Sequence, residues 1–97
     1  MASTVHVIAR VRAKEGKEEA LKAVLTDLIA PSRREIACLK YDLLQSTTDI
    51  RSFCFAERWD NEQGLEEHAA SAHVKKAGER LADLVESPPD IQRFYVV

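Results

Sequence analysis

Glu57 and Trp59 lie two residues apart in the run Phe53-Cys54-Phe55-Ala56-Glu57-Arg58-Trp59. In a strand, that spacing puts an acid and an indole on one face. A carboxylate between Phe55 and Trp59 loses solvation, which raises its pKa and suits it to proton transfer. The alternative is a structural ion pair, with Lys40 or with an arginine of a partner chain. Leu65 and His68 then stand three apart, so a helix there turns an imidazole inward beside its leucine. An inward histidine near a carboxylate can remove a phenolic proton; otherwise it is a satisfied core or capping side chain. Tyr41, Phe55, Trp59 and Leu65 offer walls for an aromatic ligand, or ordinary core. His73 sits at a break between two helical stretches, where it either caps backbone groups or joins the pocket. His6 is a third candidate for handling protons. The histidines are scattered, and His68 and His73 are spaced i, i+5 rather than the i, i+4 of a helical metal pair, so no metal site is expected. No glycine-rich nucleotide loop or nucleophile elbow is present, which leaves nucleotide and flavin cofactors without support.

The elements that must position these groups follow from periodicity. Val5, Val7, Ala9 and Val11 alternate with Thr4, His6, Ile8 and Arg10, which predicts a strand over 4–13. Leu21, Val24, Leu25, Leu28 and Ile29 make a helical stripe, which Pro31 ends or kinks near Ile29. Cys38–Ser46 reads as a second strand with Leu39, Tyr41 and Leu43 on one face, and Ser52–Trp59 as a third. If both turn their aromatic faces the same way, paired positions sum to an even number and Tyr41 falls opposite or diagonal to Glu57. Cys38 and Cys54 are then out of register for a disulfide, and two buried, reduced thiols are expected. Asp60 is expected to cap the next helix, with Gln63 in the capping-box position. That helix runs to about Ser71. A second stretch carries Val74, Ala77, Gly78, Leu81, Leu84 and Val85 until Pro88-Pro89, and Asp90–Val97 is the last strand. The order βαββαβ is the ferredoxin-like α+β arrangement with a four-stranded antiparallel sheet. Both faces of that sheet read as apolar, so a homodimer is expected, each sheet covering the other.

With 97 residues, of which 45% are hydrophobic, the chain has enough apolar material for one domain over 1–97. A net charge of −2 argues against nucleic acid, whose phosphates reward a basic face. The basic pairs Arg33-Arg34 and Lys75-Lys76 read as solvated helix faces. Nothing approaches a membrane-spanning apolar run, and Arg10 and Arg12 interrupt the first apolar stretch, which speaks against a signal peptide. The expectation is a cytoplasmic protein with a small-molecule substrate and neither nucleic acid nor membrane as partner.

The combined pattern C-L-x-Y-x(15)-E-x-W-x(5)-L-x-x-H-x(4)-H, carried by Cys38, Leu39, Tyr41, Glu57, Trp59, Leu65, His68 and His73, resembles the antibiotic biosynthesis monooxygenase family. The resemblance implies a ferredoxin-like domain that dimerises into an α+β barrel. It also implies oxidation of phenols, anthrols or quinols to quinones by dioxygen, without metal or flavin. Joined to the reading of the residues, it assigns Glu57, His68 and His6 to catalysis, and Trp59, Tyr41, His73, Phe55 and Leu65 to substrate binding. Two departures stand out. Glu35-Ile36-Ala37-Cys38 replaces the Glu-Pro-Gly-Cys of many members. The haem-degrading branch carries a tryptophan where His68 falls and an iron-binding histidine where Gly78 falls, so haem degradation is not expected. A non-redox isomerase in the same pocket and a non-catalytic small-molecule-binding dimer remain as alternatives. A phosphorylated substrate would want cations at the pocket mouth, and Arg10, Arg12 and Arg58 are the strand-borne candidates.

Overall fold

The computed structural model describes residues 4–97. Strand β1 (Val5–Arg12) is followed by helices α1 (Glu18–Thr26) and α2 (Ile29–Arg33), strands β2 (Cys38–Gln45) and β3 (Ser52–Trp59), helices α3 (Glu62–Ala69) and α4 (Ala72–Leu81), and strand β4 (Asp90–Phe94). The four strands form one antiparallel sheet in the order β2-β3-β1-β4, the ferredoxin-like arrangement. Gly16 has φ +81° in the turn before α1, a conformation open to glycine at little cost.

One face of the sheet is the core. Val5, Val7 and Val11 from β1 and Phe53, Phe55 and Trp59 from β3 are buried in one cluster with Leu21, Val24, Leu25, Leu28, Leu65 and Ala77 of the helical layer. The expected even pair sum holds through Lys40↔Arg58, Tyr41↔Glu57, Leu43↔Phe55 and Gln45↔Phe53. It breaks at the start of β2, where Cys38 pairs with Trp59 across a bulge. The bulge throws Leu39 out to solvent, so Leu39 does not share the face of Tyr41 and Leu43, because an extra residue inverts the alternation before it. Cys38 and Cys54 are free thiols, each only partly buried where full burial was expected, and Cys54 lies opposite Leu44, well along the ladder.

Three boundaries differ from the sequence expectation. The break expected near Ile29 is present, with α1 ending at Thr26 and α2 starting at Ile29, but Pro31 occupies the first turn of α2 rather than ending α1, and there its missing N–H removes no bond. Asn61, not Asp60, caps α3, its side chain accepting from the Gly64 N–H at 2.7 Å. The Asp60 N–H instead donates to the Ala37 carbonyl at 2.8 Å, which holds Asp60 to the sheet and delays the helix by one residue. β4 stops at Phe94 rather than Val97, since its partner β1 begins at Val5 and pairing ends at His6↔Phe94.

Candidate active site

The register of β2 on β3 places Tyr41 directly across from Glu57, with Val7 of β1 on the other side of Glu57. All three point to the helical layer. Helix α3 brings His68 down onto them, anchored one turn earlier by buried Leu65. The His68 ring lies 4.5 Å from Trp59 and 5.4 Å from Tyr41, edge-on to the latter. Tyr41 in turn stacks on Phe55 at 4.5 Å. The second capped helix begins directly after: Ser71 caps α4 and also donates to the His68 carbonyl at 2.6 Å, which fixes the angle at which His73 returns toward the site.

Two hydrogen-bonded groups result. In the first, the Trp59 indole N–H donates to Glu57 Oε1 at 2.8 Å. Glu57 is buried and makes no ion pair among the described residues; Lys40 pairs instead with Asp42. Burial therefore dominates and raises the carboxyl pKa from 4.5 to about 7, with the Trp59 bond opposing and the charge of Glu35 adding to the rise. Burial likewise pushes the Tyr41 phenol well above its ordinary value, helped by the Glu57 charge and opposed by Ser32. In the second group, one oxygen of Glu35 serves two imidazoles: Oε2 lies 2.7 Å from His68 Nδ1 and 3.0 Å from His73 Nε2. A carboxylate oxygen only accepts, so His68 carries its proton on Nδ1 and keeps Nε2 as a free acceptor. Burial lowers the His68 pKa, against the pull of Glu35, so the neutral form prevails near neutrality.

Beneath the helices lies a partly open cavity of about 300 Å³, lined by Tyr41, Phe55, Glu57 and His68 and by apolar side chains that include Leu25, Val74 and Ile91. That volume sits at the lower end of small-ligand sites, of about 300–1,000 Å³. Tyr41, Phe55, Glu57 and His68 are thus brought together. Trp59 and Leu65 are not at the cavity surface: Trp59 is fully buried behind it, bonded to Glu57 and packed against His68. His73 lies outside, half-buried beside a polar groove with Asp27, Lys76 and Arg80. His6 pairs with Arg58 and Phe94 on the opposite face of the sheet, because it alternates with Val5 and Val7, whose side chains enter the core. It cannot reach Glu57. Arg10 and Arg58 share that far face, and Arg12 is bound by Asp49 and Glu86, so among the described residues no strand-borne cation lines the cavity. Glu35 is the residue that sequence reasoning missed. The available signal was its place three residues before Cys38, in the turn that precedes β2.

Comparisons with known proteins agree with this architecture. The profile described as antibiotic biosynthesis monooxygenase matches residues 4–80. A Mycobacterium tuberculosis protein that bears the name "Putative monooxygenase" is 34% identical over 88 residues, covering 91% of this chain and 86% of that protein. An uncharacterised protein of Synechocystis sp. is 29% identical over 93% of this chain, which spans only 61% of that relative's length. The crystal structure of a Pseudomonas aeruginosa protein superposes with a TM-score of 0.94 at 33% identity, covering 100% of this chain and 97% of that one.

Proposed function

This chain belongs to the antibiotic biosynthesis monooxygenase family, and we propose that it is a cytoplasmic, cofactor-independent monooxygenase that oxidises a small phenol or quinol-like compound with dioxygen. The observation that carries this reading is the convergence of Glu57 and His68 on one apolar cavity that has no lysine or arginine among its described lining residues. A neutral aromatic ring with a hydroxyl group fits that chemistry, and a phosphorylated ligand does not.

The chemistry needs no external reductant. A phenol loses its proton to Glu57 or to His68 Nε2, and the phenolate gives electrons to dioxygen. One oxygen atom bonds to the ring carbon, the other leaves as water, and the ring supplies all four electrons as it becomes the quinone. A dry pocket favours the step, because a phenolate stripped of water is a better electron donor. Glu57 suits the first proton transfer: a carboxyl with a pKa of about 7 is partly ionised at neutral pH and its conjugate acid can return the proton. Glu35 keeps the His68 ring turned with Nε2 free.

The same reading includes a homodimer. On the far face of the sheet, Ile8 and Ala56 lie side by side with Cys54, and the row extends to exposed Leu44 and Phe94. Edge strand β4 is exposed along its length and continues into the exposed Tyr95, Val96 and Val97. A bare edge with apolar side chains invites pairing, and a second copy covers it without any further partner. Light scattering at micromolar protein is expected to give twice the chain mass, and a monomer mass ends the dimer reading.

The activity is tested by oxygen uptake with a panel of phenols and hydroquinones, together with a peroxide assay. Uptake that yields quinone without hydrogen peroxide is expected. The substitution His68→Ala should lower turnover by about 10²–10⁴-fold with a stability cost of about 1 kcal/mol. No uptake with any aromatic hydroxyl compound, or uptake that His68→Ala leaves unchanged, would remove the monooxygenase reading.

A further inference from the structure

We propose that Glu35, His68 and His73 form a binding site for a divalent first-row transition ion of the zinc type. The three side chains come from three elements: the turn before β2, helix α3 and helix α4. One ligand atom from each lies within 4.8 Å of the other two. Sequence spacing gives no hint of this, because His68 and His73 are not a one-turn helical pair. The break between α3 and α4, with Ser71 capping the second helix, folds the i, i+5 spacing back so that both rings meet Glu35.

The donor set is chemically selective. Two imidazoles with one carboxylate suit zinc, cobalt or nickel, whereas magnesium and calcium want an all-oxygen shell. Zinc sits about 2.0–2.2 Å from such ligands, which puts tetrahedral ligand atoms about 3.3 Å apart. Glu35 Oε2 now lies 2.7 Å and 3.0 Å from the two ring nitrogens. The carboxylate therefore has to withdraw by about half an ångström, and the two ring nitrogens, within 4.8 Å of one another, have to settle at the same spacing by side-chain rotation. Three protein ligands leave the fourth position to water, and the side chains of His73 and Glu35 are 25% and 19% exposed, enough for an ion to enter from solvent.

Charge favours the ion as well. Glu35 has no lysine or arginine partner among the described residues, only the two histidines. The carboxylate of Glu57 is near enough to feel its charge. A half-buried carboxylate without a fixed cation makes a local field that a divalent ion neutralises.

Occupancy has a consequence that rests on the proposed function. Metal on His68 Nδ1 displaces the proton to Nε2, the nitrogen that would otherwise accept from substrate. The ring then donates where it accepted, so the ion is an inhibitor rather than a cofactor.

Binding is measured apart from activity. Chelator-treated protein is titrated with cobalt(II), by calorimetry and by the visible absorption of four-coordinate cobalt. One equivalent per chain is expected, with zinc displacing it. Glu35→Gln and His73→Ala should each weaken binding at least tenfold, and His6→Ala, on the far face, should not change it. Circular dichroism confirms that each variant is folded, and Glu35→Gln keeps the side-chain shape if His73→Ala does not fold. Absence of stoichiometric binding, or binding indifferent to both substitutions, overturns the site. If cobalt binds as described but oxygen uptake with the phenol panel was never seen, the metal site stands and the monooxygenase reading fails.

Discussion

Replacing Glu57 with glutamine should make the protein more stable at alkaline pH while abolishing its chemistry. The native carboxyl titrates at about 7, against 4.5 when solvated. Between these values the folded state binds more protons than the unfolded chain. The group's contribution is therefore fully present below pH 4.5 and is lost as pH rises through about 7. The gap corresponds to about 3 kcal/mol of lost stability above both values. Glutamine stays neutral throughout, and its carbonyl oxygen can still accept the Trp59 N–H. His68 pulls the other way, since its lowered pKa adds stability as pH rises, but it does so in both proteins and drops out of the comparison where the two groups act independently. The measurement is urea or thermal unfolding of wild type and Glu57→Gln at pH 4.5 and pH 8, at one protein concentration. The two should lie within about 1 kcal/mol in acid. At pH 8 the variant should gain about 2–3 kcal/mol, a rise of about 10 °C or more for a domain of this size. Turnover should fall by about 10²–10⁴-fold in the same sample. A stability difference that is the same at both pH values would mean that the Glu57 carboxylate is solvated or paired, and the argument for it as the base would go with it.

Three more outcomes follow from the same geometry. Trp59→Phe removes the bond that holds the Glu57 pKa down, so the acid limb of the pH–rate profile should move upward; a limb that stays in place would show that Glu57 does not set it. A methyl group at Gly64 would collide with the Cβ of Ala37, so Gly64→Ala should cost about 1–3 kcal/mol in unfolding experiments despite alanine's better helix propensity, and should reduce turnover by shifting His68. Cys38 should react slowly with thiol reagents at pH 7, because burial raises its pKa, and Cys54, on the far sheet face, should become protected as protein concentration is raised through dimerisation.

The sheet was legible because its inner faces carry their own markers. Tyr41 and Leu43 on β2 and Phe53, Phe55, Glu57 and Trp59 on β3 made the even-sum register compelling, and Tyr41 does face Glu57. What failed were features that composition does not encode. The bulge that exposes Leu39 involves no glycine or other signature residue. Asp60 and Asn61 are equally good capping types, and a single backbone bond to Ala37 chose between them. Glu35 is 33 residues from His68, so their meeting depends on how the turn before β2 packs under α3, a tertiary fact with no periodic trace. His6 is a different case. Parity with Val5 and Val7 already turned it away from the core face, so the sequence held the information that places it on the far side of the sheet from Glu57.

The site itself was visible as an inconsistency. Along the core face of β3 every second residue is large and apolar except Glu57, and no lysine or arginine among the described residues pairs with it. A carboxylate left in that position weakens the fold above its pKa, and a leucine there would pack without the penalty. Local rules that point to one fold, broken at one residue whose burial only the Trp59 N–H offsets, make that position the first candidate for a role other than stability. Trp59, Tyr41 and His68 are then intelligible as its surroundings. One donates to the acid, one faces it across the ladder, and one lines the same cavity.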